Sequence, residues 1–360
     1  MINVALIIPS FKLFGGAEAF FLQIGRLLAG KDDLNIHLIV LTDDRQFFPD
    51  IYVNEKITYH FLSSSRLLLS FARVRKLITD LDIKVVFTTV LHSIAYFGLL
   101  RLFFPRHIIF VARISTFITS ALYAHPILYN FIKYSKLLNR YDGVISLTEC
   151  MEFDLLNNLS LDKSKSIVVP NFYSSNIFDT PIRYSTELDR LVYIGRLDAN
   201  KSVDRIIRAL SSLSKNYTLD IIGDGDCRSE LVSLSEGLGL SDRVAFHGFQ
   251  KNVDKYLQKS DILILSSNFE GFPNVFLDAI FAKRFIVSTP FLGVECILKD
   301  YPLAFLSEDF NSSSIARAVG LIYTRYRNLP IPEVEFCERY SPNSVAKAYY
   351  KIIQEKIHAS

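Results

Sequence analysis

Short apolar runs alternate with longer amphipathic stretches along this chain. In its first half, Asn3–Ile8, Ile36–Leu41, Ile57–Phe61, Lys84–Thr88, Ile108–Ala112, Gly143–Leu147 and Ser166–Val169 carry the apolar, β-branched-rich pattern of strands. Helical spacing predicts helices over Ala17–Ala29, Ser70–Asp80, Ser93–Phe103 and Glu149–Asn157. Nearly continuous apolar strands separated by helices indicate a parallel sheet covered on both faces. After Pro170-Asn171 the pattern dissolves into a polar stretch, Phe172–Thr186, and then a second alternation begins. Its predicted strands are Leu191–Ile194, Thr218–Ile222, Val244–His247, Ile262–Leu265 and Phe285–Ser288. Its predicted helices are Ser202–Leu213, Arg228–Leu238, Val253–Lys259 and Asn274–Ala282, and a last helix, Pro342–Lys356, closes the chain.

At 360 residues the chain exceeds the usual size of a single core. The expected organisation is an α/β domain over 1–171, a linker over 172–186, a second α/β domain over 187–341, and a C-terminal helix over 342–360 returning toward the first. Two open α/β sheets in tandem are expected to hold a ligand in the cleft between them, at the carboxyl edges of the strands.

Composition narrows the classes. Half of the residues are hydrophobic, which argues against disorder. Cys150, Cys227, Cys296 and Cys337 are scattered without metal-ligand spacing and are expected to be reduced core thiols of a cytosolic protein. No signal peptide is legible, because Met1–Pro9 lacks a basic leader and its apolar run is short. The uncharged stretch from Ile114 to Ile132 is too interrupted by polar residues and Pro126 for a membrane span. Charge is uneven: His60–Tyr141 holds eleven Lys and Arg against two Asp, a net of +9 in a chain whose total is +3. The same stretch is dense in aromatic residues, as in Phe103-Phe104-Pro105-Arg106, which suits peripheral attachment to an anionic membrane surface over 60–141. A core helix with a solvated basic face is the alternative. No nucleic-acid-binding module is recognisable, so nucleic acid is not an expected partner.

Four segments carry candidate chemistry. Phe14-Gly15-Gly16-Ala17-Glu18 follows the first strand and opens a helix whose free N–H groups suit an anion, or it is a plain tight turn. In Tyr193-Ile194-Gly195-Arg196-Leu197-Asp198-Ala199-Asn200-Lys201-Ser202, two cations five positions apart on a loop can neutralise a diphosphate, or are surface charges. Ile222-Gly223-Asp224-Gly225-Asp226 is a slim strand-to-helix turn. The run Ser260–Ala279 reads as a buried strand, a polar loop and a helix, with Glu270 just before the helix and Asp278 inside it. Carboxylates there can accept hydrogen bonds from vicinal sugar hydroxyls; otherwise Glu270 is an N-terminal capping carboxylate and Asp278 a solvated helix residue.

Together these segments resemble the GT-B glycosyltransferases of the large retaining family four, which carry a GGxE loop, a GRLxxxKG segment, a GxG turn and an EGFPxxxxEA motif. All four occur here in order, and Ser146-Leu147-Thr148-Glu149 and Val168-Val169-Pro170-Asn171 also resemble family segments. The resemblance covers nearly the whole chain. It implies a GT-B fold of two Rossmann-like domains facing a central cleft. It implies that Arg196 and Lys201 hold the donor's diphosphate and that Glu270 contacts the donor sugar's hydroxyls. The backbone of Gly271, Phe272, Pro273 and Asn274 would line the sugar and phosphate pocket, with Gly15, Gly16, Gly195, Gly223 and Gly225 as further donor contacts.

Two positions depart from the pattern. Asp278 stands where the family has the glutamate that binds ribose, and is one methylene shorter. Ser202 replaces the usual glycine and is expected to serve as a helix N-cap instead. For the N-terminal catalytic position the candidates are Arg113, placed as in the branch that extends lipid-linked glycans, and His92, with a structural histidine as the alternative for His92. His125 is a further candidate, and His247 falls in a segment resembling the nucleotide-base loop.

The implied activity is retaining transfer of a hexose or N-acetylhexosamine from a UDP-sugar, with a GDP-sugar less favoured, to a lipid-linked saccharide at the cytoplasmic face of a membrane. Capsule or O-antigen assembly is the implied setting, with no metal or cofactor expected. A nucleotide-sugar 2-epimerase and an inactive scaffold partner are the rival readings.

Overall fold

The apolar runs assemble into two separate parallel sheets in a computed structural model that describes residues 1–11, 15–42, 45–48, 53–62, 70–122, 126–173, 188–325 and 338–359. The chain divides into two units: Met1–Asn171 with Ser341–Ser360, and Phe172–Tyr340. Most of the expected linker, 174–186, lies outside the described residues, while Phe172 and Tyr173 belong to the second unit.

The strands of the first unit are β1 (Ile2–Ile8), β2 (Leu34–Val40), β3 (Ile57–Phe61), β4 (Ile83–Thr89), β5 (Ile109–Ile114), β6 (Gly143–Ser146) and β7 (Ser166–Val168). They pair in the order β3-β2-β1-β4-β5-β6-β7, with every pairing parallel. Apolar side chains on both faces explain this: Val4 through Ile8 and Val85 through Phe87 are fully buried. Helices α1 (Gly16–Leu28), α2 (Phe71–Asp80), α3 (Leu91–Leu100), α4 (Ile118–Ala121), α5 (Pro126–Tyr134) and α6 (Glu149–Asn158) connect them. The uncharged stretch that approached a bilayer span is thus the end of a strand and two short helices. Among the described residues no helix is long and apolar enough to cross a membrane.

The second unit holds β8 (Arg190–Ile194), β9 (Thr218–Ile222), β10 (Val244–Gly248), β11 (Ile262–Leu265), β12 (Phe285–Ser288) and β13 (Ala304–Leu306), in the order β10-β9-β8-β11-β12-β13 and again all parallel. Its helices are α7 (Val203–Ser212), α8 (Arg228–Gly237), α9 (Asp254–Lys259), α10 (Asn274–Phe281), α11 (Val294–Leu298) and α12 (Ser312–Arg325). The closing helix, α13 (Pro342–His358), belongs to the first unit. It starts with Pro342 in its first turn and with the Ser341 hydroxyl accepting the Ser344 N–H at 3.1 Å. Tyr349 of α13 packs its ring 5.7 Å from Phe20 of α1 and 5.4 Å from Phe87 of β4, and the Tyr350 hydroxyl donates to Asp33 at 2.8 Å.

Two sequence expectations change here. Cys150 and Cys296 are each disulfide-bonded, so they are not reduced thiols; spacing along the chain carries no information on such pairing, and Cys227 is free. The basic stretch is also less of a surface than its sequence suggests. Arg113 is fully buried, and Arg101 turns inward to the Ile108 carbonyl at 2.8 Å and to Asp142 at 3.3 Å.

Candidate functional site

In each sheet the first and fourth strands of the unit are neighbours, β1 with β4 and β8 with β11. Connections leaving such a pair run to opposite faces, and a crevice opens at their carboxyl ends where α/β proteins bind ligands. In the second unit this point is flanked by the loop 195–202 after β8 and the loop 266–273 after β11.

The first loop is held in shape by its glycines. Gly195 and Leu197 donate their N–H groups to the Ile222 and Asp224 carbonyls at 3.0 and 2.9 Å, so the loop lies directly against the turn after β9. Gly223 and Gly225 adopt φ of +142° and +157°, and a Cβ on either would run into the carbonyl of Gly195 or Leu197. The structure thus gives Gly195, Gly223 and Gly225 a packing role: they let two loops touch. The Tyr193 hydroxyl, at the end of β8, donates to the Arg196 carbonyl at 2.7 Å.

A polar network binds the two loops together. Ser266 Oγ lies 2.9 and 2.8 Å from the Lys201 and Ser202 carbonyls. Asn200 and Phe269 exchange hydrogen bonds, side-chain amide to carbonyl at 3.0 Å and backbone N–H to Asn200 Oδ1 at 3.2 Å. Within this frame the Lys201 ammonium meets Glu270 Oε1 at 2.5 Å, and the Ser267 hydroxyl donates to the same oxygen at 2.7 Å. The side chains of Lys201 and Glu270 are 18% and 11% exposed, so a largely desolvated ion pair sits at the switch point of the sheet. Glu270 is not a helix cap: α10 begins after Pro273, three residues further on.

Arg196 and Lys201 pair with different carboxylates: the Arg196 side chain is 79% exposed and lies 3.4 Å from Asp198. Ser202 sits at the cap position of α7 but does not cap it. Its φ is +47°, its hydroxyl donates to the Ala199 carbonyl at 3.0 Å, and it accepts from the Asn268 amide at 3.0 Å. That left-handed backbone is the reason a glycine suits this position. Phe272 and Pro273 are buried, Gly271 and Asn274 half-buried, and Asp278 is buried rather than solvated. His247 lies on β10, separated from β8 by β9, with its Nε2 at 2.5 Å from Asp220 Oδ1 and its ring 4.8 Å from that of Tyr256.

In the first unit, Gly15 and Gly16 are exposed at the start of α1, and the Gly15 N–H is taken by the Glu18 carboxylate at 3.1 Å. Burial pushes the Glu18 carboxyl up, against the pull of those backbone N–H groups and of Arg113. Arg113, expected to reach a substrate, is instead interior. It hydrogen-bonds the Asn171 side chain and stacks 4.0 Å over the Phe20 ring, and burial lowers its pKa. Position at a strand end was legible in sequence; the aromatic lid over it was not. His92 is exposed in the first turn of α3, with its pKa lowered by desolvation. It follows Val90, whose φ of +66° is an uncommon conformation for a β-branched residue. His125 lies outside the described residues. Among the described residues no group of three or more His, Cys, Asp or Glu side chains could hold a metal ion.

Asn200, Ser266, Ser267 and Asn268 were not singled out by sequence reasoning. The available signal was the polar run Ser266-Ser267-Asn268 directly after a wholly apolar strand, where polar residues have nothing to gain unless they hydrogen-bond.

Residues 181–343 match the family model described as Glycosyl transferases group 1, and residues 14–176 match that of Glycosyltransferase Family 4. The N-acetylgalactosamine-N,N'-diacetylbacillosaminyl-diphospho-undecaprenol 4-alpha-N-acetylgalactosaminyltransferase of Campylobacter jejuni is 30% identical over 165 residues, 45% of this chain and 45% of that protein. The lipopolysaccharide core biosynthesis glycosyltransferase LpsE of Rhizobium meliloti is 27% identical over 167 residues, 45% of this chain and 49% of its own. In its matched segment the chain spans about half the length of these curated relatives. Among solved structures, Anabaena Alr3699/HepE in complex with UDP and glucose superposes with a TM-score of 0.80 at 15% identity, over 99% of this chain and all of that one. The apo form of the lipopolysaccharide outer core galactosyltransferase WaaB gives 0.74 at 19% identity, covering 99% and 100%. At such identities the likeness is one of fold, and that fold is GT-B. With one family model on each half and the GT-B architecture throughout, the chain belongs to the family 4, group 1 glycosyl transferases.

Proposed function

We propose that this chain is a retaining glycosyltransferase that moves a hexose or N-acetylhexosamine from a UDP-sugar to a lipid-linked saccharide in surface-polysaccharide assembly, attached peripherally to the cytoplasmic face of a membrane. The observation that carries the reading is the Lys201–Glu270 pair at the β8/β11 switch point. A cation fixed there lowers the cost of charge gathering on a departing diphosphate, and a carboxylate beside it accepts hydrogen bonds from sugar hydroxyls. Arg196, solvent-facing on the same loop, supplies a second cation to the diphosphate, and the buried Asp278 on α10 takes the ribose. In the transfer, the acceptor oxygen bonds to the anomeric carbon as the bond from that carbon to the phosphate oxygen breaks. The acceptor's proton passes to the departing phosphate oxygen, so no strong base and no metal is required. The donor class is supported by the UDP in the HepE structure, and the acceptor class by the diphospho-undecaprenol-linked glycan in the Campylobacter relative's name.

The test is UDP release from a panel of UDP-hexoses and UDP-N-acetylhexosamines, with and without undecaprenyl-diphosphate-linked saccharides, followed by linkage analysis of the product. Acceptor-dependent UDP release with an α-linked product is expected. Release of a 2-epimer without transfer, or no turnover and no donor-induced thermal shift with any sugar, would overturn the reading.

A further inference from the structure

The first unit carries a second candidate site, on the edge of its sheet opposite the strand carboxyl ends. A cavity of about 660 Å³ opens where β5, β6 and β7 begin, lined by Arg106, His107, Asp142, Ser164, Lys165 and Lys356 among others. Asp142 is already committed, its Oδ2 accepting from Arg101 at 3.3 Å and from the Phe110 N–H at 2.8 Å. Arg106 and Lys356 make no ion pair among the described residues, while Lys165 donates to the Asn139 carbonyl and feels the exposed Asp162 carboxylate nearby. Three cations converging on a hollow with its carboxylate occupied suit a phosphate-bearing ligand.

The loop that brings Arg106 and His107 to the cavity also carries an apolar tip. Leu102 is 80% and Phe103 60% exposed, and Leu99, 42% exposed, lies on the preceding turn of α3. Arg101 ties this loop down, donating to the Pro105 and Ile108 carbonyls at 3.3 and 2.8 Å, so the tip is built and not frayed. The Phe103 ring packs edge-on to Phe71 at 5.8 Å, at the start of α2, where Arg75 and Lys76 are exposed. Arg106 is four positions beyond Leu102, at most roughly 14 Å of chain. Apolar groups buried about 5–10 Å into the headgroup–acyl boundary therefore leave Arg106 at the depth of lipid phosphates.

We propose that this edge of the first unit docks on an anionic lipid bilayer, with Leu102 and Phe103 entering the acyl boundary and the Arg106–Lys165–Lys356 cavity taking a lipid phosphate. The occupant follows from the exposed apolar side chains and Arg106 sharing one pinned loop that borders a cavity also lined by Lys165 and Lys356, a combination a soluble phosphate would not need. The inference rests on the peripheral attachment proposed above and names its site; it does not depend on sugar transfer.

The chain contains no tryptophan, so Phe103→Trp installs a single fluorophore at the tip. With vesicles of phosphatidylcholine plus phosphatidylglycerol its emission is expected to shift to the blue and to be quenched by lipids brominated in the acyl chain; phosphatidylcholine alone gives a much smaller response. In sedimentation of the full chain, Lys165→Ala with Lys356→Ala is expected to weaken binding to the anionic vesicles about thirtyfold. Leu102→Ser with Phe103→Ser is expected to abolish it, with thermal melts checking that both double variants fold. Anionic vesicles that sediment both double variants as well as the parent would place attachment elsewhere and sink this site while leaving peripheral attachment standing. A chain that binds no vesicle but is thermally stabilised by inorganic pyrophosphate would assign the cavity to a soluble anion and overturn the proposal. UDP release onto a detergent-solubilised acceptor reads the transfer reaction separately, and there the Leu102/Phe103 variant should turn over normally.

Discussion

Lys201 Nζ and Glu270 Oε1 are 2.5 Å apart, joined across the loops that leave two neighbouring strands of the second sheet. Mostly desolvated, the pair costs more to break from one side than to remove whole. Lys201→Ala leaves the Glu270 carboxylate with the Ser267 hydroxyl but without a counter-charge, and is expected to lower unfolding stability by about 2 kcal/mol. Adding Glu270→Ala should recover part of that loss, a non-additivity that a urea-denaturation double-mutant cycle measures directly. In turnover the effect has another signature. Glu270→Gln keeps the shape and is expected to cut UDP release by about two to three decades, because the lysine loses its counter-charge and the sugar its charged acceptor. Near-normal turnover of both single variants would remove this pair from the mechanism.

Arg113 provides a contrast, since its interest is packing. The guanidinium lies 4.0 Å over the Phe20 ring, with the Tyr349 hydroxyl beside it and Glu18 supplying opposite charge nearby. Truncation to alanine leaves a cavity beneath α1 and removes the counter-charge of a buried carboxylate, at an expected cost of about 3 kcal/mol. Arg113→Met fills most of the volume without burying a charge and is expected to cost about 1 kcal/mol. Arg113→Lys should fall between, because an ammonium lacks the planar face that stacks on Phe20. Chemical denaturation ranks the three. A donor-induced thermal shift retained by the methionine variant agrees with a packing role, and its selective loss would return Arg113 to the substrate.

The same residues show what the sequence makes legible. The central strands were readable because side chains on both faces of β1, β4, β8 and β11 are apolar, which leaves few other ways to bury them. β13 was missed because three residues, Ala304–Leu306, carry too little periodicity to register. For the site, Lys201 and Glu270 stood out by residue type and motif, yet their direct contact spans 69 positions and depends on how β8 and β11 pair. Ser202 was assigned a capping role from its place before α7. Its positive φ turns the hydroxyl away from the helix and toward Ala199 and Asn268, a conformation signalled by the glycine usual at this position and not by the serine. The burial of Arg113 was illegible for the complementary reason: a strand end is ordinarily open, and here Phe20 and Tyr349 of α13 pack against it.

Two glycines of the second unit should respond in opposite directions to the same change. At Gly223 a Cβ meets the Gly195 carbonyl oxygen and the backbone holds φ at +142°, so Gly223→Ala must either part the two loops or strain the turn. A loss of about 3 kcal/mol is expected, and with it the shape of the loop bearing Lys201. Gly237, in the last turn of α8, has nothing within 4 Å of its would-be Cβ. Gly237→Ala should stabilise by about 0.5 kcal/mol, through helix propensity and a less flexible unfolded chain. Calorimetry on the full chain separates the two, since 1 kcal/mol moves the midpoint by about 2–4 °C in units of this size.

A pH dependence is built into the first sheet. His37 on β2 and His60 on β3 place Nδ1 and Nε2 3.1 Å apart with their rings stacked at 5.4 Å, a spacing that accommodates one shared proton and not two charges. Burial lowers the pKa of both, and for His37 the neighbouring His60 charge lowers it further. The folded state therefore binds fewer protons than the unfolded chain once pH falls to the ordinary histidine range, near 6.5. The stability owed to the neutral pair is complete above that range and is lost as pH falls from about 7 toward 5. Glu18, whose pKa is raised by burial, works in the opposite sense at the acid end, but it is common to parent and variant and cancels from their difference. His60→Phe keeps an aromatic ring beside His37 and removes one titrating group, so its stability should fall less steeply over the same interval. Urea denaturation at about pH 5, 6 and 7.5 measures both slopes. Equal slopes in the two proteins would mean that the pair titrates as freely when folded as when unfolded.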